Sequence, residues 1–282
     1  MIKLTKNGIV SGGLLTTFAL LKLAAHCRRE PFDFDADNPY LYTQSNMTII
    51  DKRSHKAPKV ALGIYERFLK PLLDQVISFV GLIFLSPVYA VIALSIYFDD
   101  PGPVFFTQKR VGKDKRFFVC HKFRSMKTST PKNVPTHMLS DPEAYITRVG
   151  AVLRRTSLDE LPQIWDIFRG RMSITGPRPA LWNQQDLVEA RTGNALVNKE
   201  AAKAAVDANA IMPGLTGLAQ IKGRDKLEIE DKARIDREYA ATLRKGGLEA
   251  FFQDCKCIFG TVKSVLKHDG VVEGGTGKMH RN

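Results

Sequence analysis

Hydrophobic residues are concentrated in two long runs in the first third of the chain. Residues 8–25 form an apolar stretch that is short and is interrupted by Lys22. Residues 30–60 are polar, mixed in charge and without periodicity, as in a linker. We therefore predict an N-terminal extension over residues 1–60. Its apolar stretch is a signal peptide, a membrane helix or a peripheral anchor, and its length and the lysine favour an anchor over a cleaved signal.

The second run, residues 76–98, contains no charged residue. A straight helix of this run would be about 34 Å long, enough to span a bilayer. Ser86 and Pro87 lie at its centre, however. Proline removes a backbone donor and clashes with the preceding turn, so a kink is expected there, and the serine hydroxyl can bind a freed carbonyl.

Both flanks of this run are basic. Residues 101–130 hold eight lysines and arginines against one acid, Asp114, and the preceding segment is also rich in lysine and arginine. The positive-inside rule places both flanks in the cytosol. We therefore predict a re-entrant helix hairpin over residues 61–100 that bends at the Ser-Pro pair. A straight span with a tolerated kink stays open as the alternative.

The periodicity of residues 101–270 predicts an α-rich α/β fold with few short strands, in a membrane-associated globular domain. PVFFTQKRV and RFFVCHKF alternate around a VGKDK turn and predict two strands. Residues 211–224 are punctuated by glycine and predict a loop. The tail, 271–282, is expected to be flexible. Helices are predicted over residues 141–155, 160–169, 183–209, 227–245 and 248–268, the last of them amphipathic.

The net charge of the chain indicates what kind of partner it binds. The chain has 42 basic and 29 acidic side chains, a net charge of +13. Its partner should be anionic: nucleic acid, an anionic membrane surface or a phosphorylated small molecule. The four cysteines show no zinc-binding spacing, so we expect reduced thiols in a cytosolic compartment.

The candidate chemistry lies in SLDELPQIWDIFRG, where Asp159 and Glu160 stand side by side before a helix with one apolar stripe. One interpretation is that these acids cap the helix and complement its dipole. The other is chemical. A helix N-terminus is also a place where phosphate binds, Arg154 precedes it, and Arg178 follows between two prolines in GPRP. Arg178 is equally open to a structural role.

Further basic and glycine-rich segments are candidates for phosphate binding. Lys122, Arg124 and Lys127 in HKFRSMK could meet substrate phosphates or lipid headgroups. PGLTG, followed by Gly223 and Arg224, could bring backbone close to a nucleotide. It is neither a Walker loop nor a Rossmann fingerprint.

Taken in order, these blocks resemble a known family. LSPVYA, PVFFTQKRVG, HKFRSM, SLDELPQIWDIFRGRMS, TGPRP and PGLTGLAQIKGR, followed by an amphipathic helix, are similar to the bacterial sugar transferases, small monotopic phosphoglycosyltransferases. The resemblance covers roughly residues 65–270. It implies transfer of a sugar-1-phosphate from a UDP-sugar to a polyprenyl (undecaprenyl) phosphate with release of UMP, the step that begins a surface polysaccharide or glycoprotein glycan.

The resemblance also implies where the enzyme works and with what. It implies a catalytic domain on the cytoplasmic face of the bacterial inner membrane, against the cytoplasmic leaflet, no nucleic-acid partner, and downstream glycosyltransferases that use the product. The alternative is a non-catalytic, basic, membrane-tethered binding module or a regulatory paralogue, which explains the charge but not the acid pair beside GPRP.

Site roles follow from the resemblance residue by residue. Asp159 is implied as the nucleophile of a covalent phosphosugar–aspartate intermediate, and Glu160 as its partner in handling a proton or the metal, with both acids near Mg²⁺. The Ser86-Pro87 break is implied to be that of a re-entrant membrane helix. The phosphate-binding arginines are implied to be Arg154, Arg178 and Arg224, and a later family carboxylate matches Asp236.

Overall fold

The computed structural model describes residues 63–130, 141, 143–193, 206–223 and 227–267. The predicted N-terminal extension and the predicted tail lie outside these ranges, as does Arg224.

The long apolar run forms two helices joined at a sharp bend. A π-helical turn, Tyr65–Leu69, leads into α1, Lys70–Phe84, and α2 follows as Ser86–Asp99. The two arms are bent by 61°. At the bend the Ser86 hydroxyl donates to the Ile83 carbonyl at 2.8 Å, which is the predicted compensation for the proline.

By length and composition, no single helix in the described ranges could cross a bilayer, and only the bent pair meets those criteria when its arms are taken together. The predicted break is therefore present. The path of the pair through a membrane stays a prediction.

The two predicted strands form an antiparallel hairpin. Strand β1, Phe105–Val111, pairs with β2, Phe117–Phe123, around a short 3₁₀ turn. Gln108 lies opposite Cys120 and Phe106 opposite Lys122, so these side chains share one face of the hairpin. This is the face that carries Lys122 to the candidate site.

The remaining elements make the domain mostly helical with a few short strands, consistent with the predicted α/β class. In chain order they are α3 (Arg148–Thr156), α4 (Gln163–Phe168), β3 (Ser173–Thr175), α5 (Gln185–Thr192), β4 (Gly214–Thr216), α6 (Leu218–Lys222), α7 (Ile229–Lys245) and α8 (Gly247–Lys267). The helices predicted over 227–245 and 248–268 are confirmed by α7 and by α8 as far as Lys267, the last described residue.

Four predicted boundaries differ from the structure, and one of them is the start of the helix predicted over 160–169, which begins at Gln163. The first helix of the domain begins at Arg148, because Thr147 caps it by accepting from the Gly150 amide at 2.9 Å. The helix predicted over 183–209 ends at Thr192 within the described residues. The predicted glycine loop 211–224 holds β4 and α6. Strand β4 pairs in parallel with β3, and a three-residue strand is too short for alternation to reveal.

Helix α7 lies at the centre of the core. Ile235, Tyr239 and Leu243 on its inner face are at most 3% exposed and pack with Leu218 and Cys257 from α6 and α8. A smaller cluster of Cys120, Ile167 and Met172 joins β2 to α4. The second cluster is the packing that places the hairpin against the acid pair.

Candidate active site

The two acids lie in a turn of their own between two helices. Helix α3 ends at Thr156, and its C-cap residue Ser157 adopts a left-handed conformation with φ of 59°. A 3₁₀ turn, Leu158–Glu160, follows. Helix α4 begins only at Gln163, and neither carboxylate caps it. The capping interpretation is therefore wrong for this helix. Asp159 and Glu160 are each 8% exposed, which for two adjacent acids demands compensation.

Glu160 receives that compensation from two cations. Lys122 donates to its Oε1 at 2.8 Å, and Arg178 forms a two-pronged contact in which Nη1 donates to Oε2 at 3.1 Å and Nη2 donates to Oε1. Burial alone would raise the pKa of Glu160, but Arg178 and Lys122 outweigh it and hold this pKa well below its usual range. Glu160 is thus ionised, and both of its oxygens are in use.

Asp159 has a different environment. Its one ion-pair contact within the described ranges is with Lys122, whose Nζ lies 3.6 Å from Oδ2. Burial raises the pKa of Asp159 and the charge of Glu160 adds to the rise, while Lys122, Arg178 and Arg154 oppose it. The pKa of Asp159 is therefore raised while that of Glu160 is lowered. Two neighbouring acids whose pKa values are shifted apart are found in active sites where they have different chemical roles.

The GPRP loop that carries Arg178 is held by two further arginines. Arg110 on β1 donates from Nη1 to the Pro179 carbonyl at 2.8 Å, and Arg191 on α5 donates from Nη2 to the Arg178 carbonyl at 2.9 Å. Arg191 is itself held by Asp236, with Nη2 2.7 Å from Oδ2. Asp236 is 2% exposed, so the structure places this predicted site residue behind the loop, acting on it through Arg191.

Glycines bring the same loop against β4. A Cβ on Gly214 would lie 2.1 Å from the Gly176 nitrogen, and one on Gly217 would lie 2.1 Å from the Gly176 oxygen. Side chains at these positions would separate β3 from β4. The glycines of PGLTG therefore serve backbone packing beside Arg178, and their predicted contact with a nucleotide stays a prediction.

The basic candidates divide between the site and the scaffold. Arg154 donates from Nε to the Ser125 hydroxyl at 2.9 Å and lies close enough to Asp159 to lower its pKa. Arg124 is 7% exposed and instead forms an ion pair with Asp100, at the end of α2, with Nη1 3.0 Å from Oδ2. The structure therefore joins Arg124 to the bent helix pair and does not bring it to the acid pair.

Lys127 also lies apart from the acids. Its Nζ donates to the Ala144 carbonyl at 2.7 Å. Of the basic residues in HKFRSMK, it is Lys122 that contacts the carboxylates.

Sequence reasoning missed the groups that support the site from behind. Besides Arg110 and Arg191, these include Asp166, a fully buried acid within SLDELPQIWD. Its carboxylate accepts from the His121 backbone amide at 2.9 Å and lies 2.8 Å from the ring Nδ1 of the same residue. Asp166 therefore joins α4 to the strand that carries Lys122. No local pattern signals this role, because the contact joins positions that are 45 residues apart in the chain.

Oxygen ligands suit Mg²⁺, which proteins hold with one or two carboxylates and complete with substrate phosphates. Asp159 fits this role, because among the residues that the structure describes its oxygens have a single, long ion-pair contact, with Lys122. Glu160 fits it less well, because Arg178 and Lys122 occupy both of its oxygens. Across the described part of the chain, no group of three His, Cys, Asp or Glu side chains could hold a metal ion by itself.

Sequence comparison identifies several similar proteins. The exopolysaccharide production protein PSS of Rhizobium leguminosarum bv. phaseoli is 38% identical over 201 residues, covering 70% of this chain and 95% of that protein. The undecaprenyl-phosphate glucose phosphotransferase of Komagataeibacter xylinus is 33% identical over 223 residues, and the UDP-glucose:undecaprenyl-phosphate glucose-1-phosphate transferase of Escherichia coli K12 is 40% identical over 180.

Coverage of these relatives is uneven. The K. xylinus match takes in 77% of this chain but 38% of that protein, and the E. coli match takes in 61% and 36%. The family model described as bacterial sugar transferase matches residues 65–268, which include the bent helix pair, the acid turn and GPRP. The chain therefore belongs to the bacterial sugar transferase family.

Proposed function

We propose that this chain transfers a sugar-1-phosphate from a UDP-sugar to a polyprenyl phosphate and releases UMP. The observation that carries the proposal is the asymmetric acid pair. Both carboxylates are buried, but Glu160 is bound by two cations, whereas Asp159 has one long ion-pair contact among the described residues. A cationic site with one available carboxylate suits attack on a phosphorus atom whose other oxygens need neutralisation.

In the proposed first step, an Asp159 oxygen forms a bond to the sugar-bearing phosphorus of the donor. The bond from that phosphorus to the bridging oxygen breaks, and the bridging oxygen leaves with UMP. In the second step, a phosphate oxygen of the polyprenyl phosphate attacks the same phosphorus. The bond to Asp159 breaks and restores the carboxylate. The two-step route lets one site serve a water-soluble donor and a lipid acceptor in turn.

The remaining side chains bind and orient in this scheme. Lys122 and Arg178 bridge Glu160 and the donor phosphates, and Arg154 adds a third cation on the side of Asp159. Glu160 fixes the two cations in place and so orients them toward the phosphates. Asp159 would hold Mg²⁺, which would supply positive charge against the negative charge that develops on the leaving phosphate.

Contact with a membrane is part of the proposal. Both arms of the bent pair expose large apolar side chains, among them Phe84 at 78% and Phe98 at 78% exposed. Helix α8 exposes a second apolar stripe that includes Phe252 and Phe259. Exposed apolar area on this scale marks an interaction surface, and a lipid acceptor explains its presence.

The helix that follows the acid turn lies beside this surface. Phe168 at the end of α4 packs on Phe79 of α1 with ring centroids 5.7 Å apart. In the proposed arrangement the pair enters and leaves the cytoplasmic leaflet of the inner membrane by the same face. The acids then stand at the level of the acceptor's phosphate, and the product remains in the membrane for downstream glycosyltransferases.

The test is turnover by the full chain in detergent or nanodiscs, with Mg²⁺, undecaprenyl phosphate and a panel of UDP-sugars. UDP-glucose and UDP-galactose come first, because relatives named for glucose and galactose transfer are 33% and 31% identical. We expect UMP release that requires the lipid for multiple turnovers. Intact mass after donor alone should show a gain of one phosphosugar.

Two outcomes would contradict this. Steady UMP release without an adduct, in a mass measurement quenched within milliseconds, would refute the covalent route but keep the reaction. No UMP with any donor, together with salt-sensitive binding to anionic vesicles, would favour the non-catalytic membrane-tethered module.

A further inference from the structure

Tyr89 of α2 joins the bent helix pair to the acid turn. It lies three residues beyond the Ser86 bend and is 5% exposed. Its hydroxyl donates to the Leu161 carbonyl at 2.5 Å. Leu161 directly follows Glu160, so the hydrogen bond fixes the backbone at the exit of the acid turn.

The ring of the same tyrosine contacts the strand that carries Lys122. It packs against Phe123 with centroids 5.3 Å apart, and Phe123 is 1% exposed and directly follows Lys122. Tyr89 thus contacts both Phe123, which follows Lys122, and Leu161, which follows Glu160. Lys122 and Glu160 themselves form an ion pair with Nζ 2.8 Å from Oε1. The separation of those two segments therefore depends on Tyr89.

The first arm of the pair holds the other half of the site. Lys70 on α1 donates to the Thr175 hydroxyl at 2.5 Å, and Asp74, one turn later, accepts from the Ser173 hydroxyl at 2.5 Å. Ser173 and Thr175 are the two ends of β3, and Arg178 lies three positions after Thr175. The two arms of the bent pair are therefore tied to the two segments whose side chains meet at Glu160.

We propose that the bent helix pair sets the geometry of the reaction site, with Tyr89 as a positioning residue that keeps Lys122 in register with Asp159 and Glu160. Tyr89 touches no reacting atom; it acts through the backbone of Leu161 and the ring of Phe123. The inference rests on the proposed function for its kinetic readout, whereas its hydrogen-exchange readout does not need turnover.

A positioning role and a stabilising role make different predictions here. The Leu161 carbonyl also accepts from the Ile164 amide at 3.0 Å. Removal of the tyrosine hydroxyl therefore leaves this carbonyl with a partner, and little stability is lost. What is lost is the directional contact that fixes the acid turn relative to α2, which matters for a reaction that depends on sub-ångström placement.

The experiment compares Tyr89→Phe with Tyr97→Phe, the same substitution on the same helix at a side chain that is 52% exposed. In Tyr89→Phe we expect kcat to fall by about tenfold to a hundredfold, with KM for the UDP-sugar and the thermal midpoint close to those of the parent protein. Tyr97→Phe should match the parent in all three measurements.

A Tyr89→Phe enzyme with parental kcat would overturn the inference, and so would a kcat loss that follows loss of folded protein. Hydrogen exchange supplies the readout that is independent of turnover. In Tyr89→Phe, amides of the Leu158–Glu160 turn should exchange faster while those of α7 do not change; equal exchange at the turn would also overturn it. If the parent protein itself releases no UMP, the proposed function fails, and the exchange result still decides the role of Tyr89.

Discussion

Asp159→Asn is expected to lower turnover by a factor of at least about 10³. The variant should be at least as stable as the parent protein. The amide has the size of the carboxylate but does not attack phosphorus. The stability expectation comes from the raised pKa. The pKa of Asp159 is higher in the folded than in the unfolded state, so folding disfavours its ionised form. At neutral pH the charge of Asp159 therefore lowers the free energy of unfolding. This loss of stability disappears as pH falls through the raised pKa. A neutral amide removes the same cost.

The measurements for Asp159→Asn are UMP release, intact mass with donor, and the thermal midpoint at pH 7. The matched control is Asp231→Asn, the same change at a half-exposed aspartate of α7 whose partner is Arg234 on the surface. The control should retain full turnover. Parental turnover or a donor-derived mass gain in Asp159→Asn would refute the nucleophile. A collapse of the midpoint would show that the carboxylate is structural.

What the sequence could predict follows from which interactions are local. The hairpin strands alternate with period two, and α7 and α8 carry apolar stripes of helical period, so each pattern reflects a nearby core face. The acid pair and GPRP were found because residue types at short spacing suffice to suggest phosphate chemistry. The break at Ser86 was found because proline acts on its own helix.

What the sequence could not predict depends on contacts between distant segments. The β3–β4 pairing joins residues about 40 positions apart through three-residue strands, and the close approach of Gly176 and Gly214 that permits it has no local signature. Arg124 and Lys122 are neighbours in one motif and both basic. Their roles differ only in the folded protein, where Arg124 forms an ion pair with Asp100 and Lys122 forms one with Glu160.

The asymmetry of the acid pair is the clearest case of this limit. Asp159 and Glu160 are adjacent, similarly buried acids, and the sequence predicts that both are ionised because cations surround them. The structure distinguishes them through the direction of Arg178, which contacts Glu160 with two nitrogens. That direction is set by Arg110, Arg191 and Asp236 behind the loop. The residue types alone therefore leave the roles of the two acids open, and within the sequence only the resemblance to the family implies them.

Glu160→Gln is expected to lower turnover by at least about 10²-fold and, unlike Asp159→Asn, to destabilise the protein. Loss of the charge weakens the contacts that hold Lys122 and Arg178, so these cations lose the orientation in which they meet the phosphates. Loss of a buried hydrogen-bonded charge should cost about 1–3 kcal/mol. For a domain of this size that lowers the thermal midpoint by several degrees.

The sign of the pH dependence tests the cause. The pKa of Glu160 lies below the unfolded glutamate value of about 4.3, so its stabilisation is fully present above that pH and is lost as pH falls through the lower folded value. The stability gap between the parent and Glu160→Gln should therefore be widest at neutral pH and narrow below about pH 4. Glu238→Gln, at an exposed glutamate paired with Lys222, is the control and should change stability by less than about 1 kcal/mol. If Asp159→Asn and Glu160→Gln changed stability in the same direction, the proposed difference between the two acids would be wrong. That difference requires the charge of Asp159 to destabilise the fold and the charge of Glu160 to stabilise it through Lys122 and Arg178.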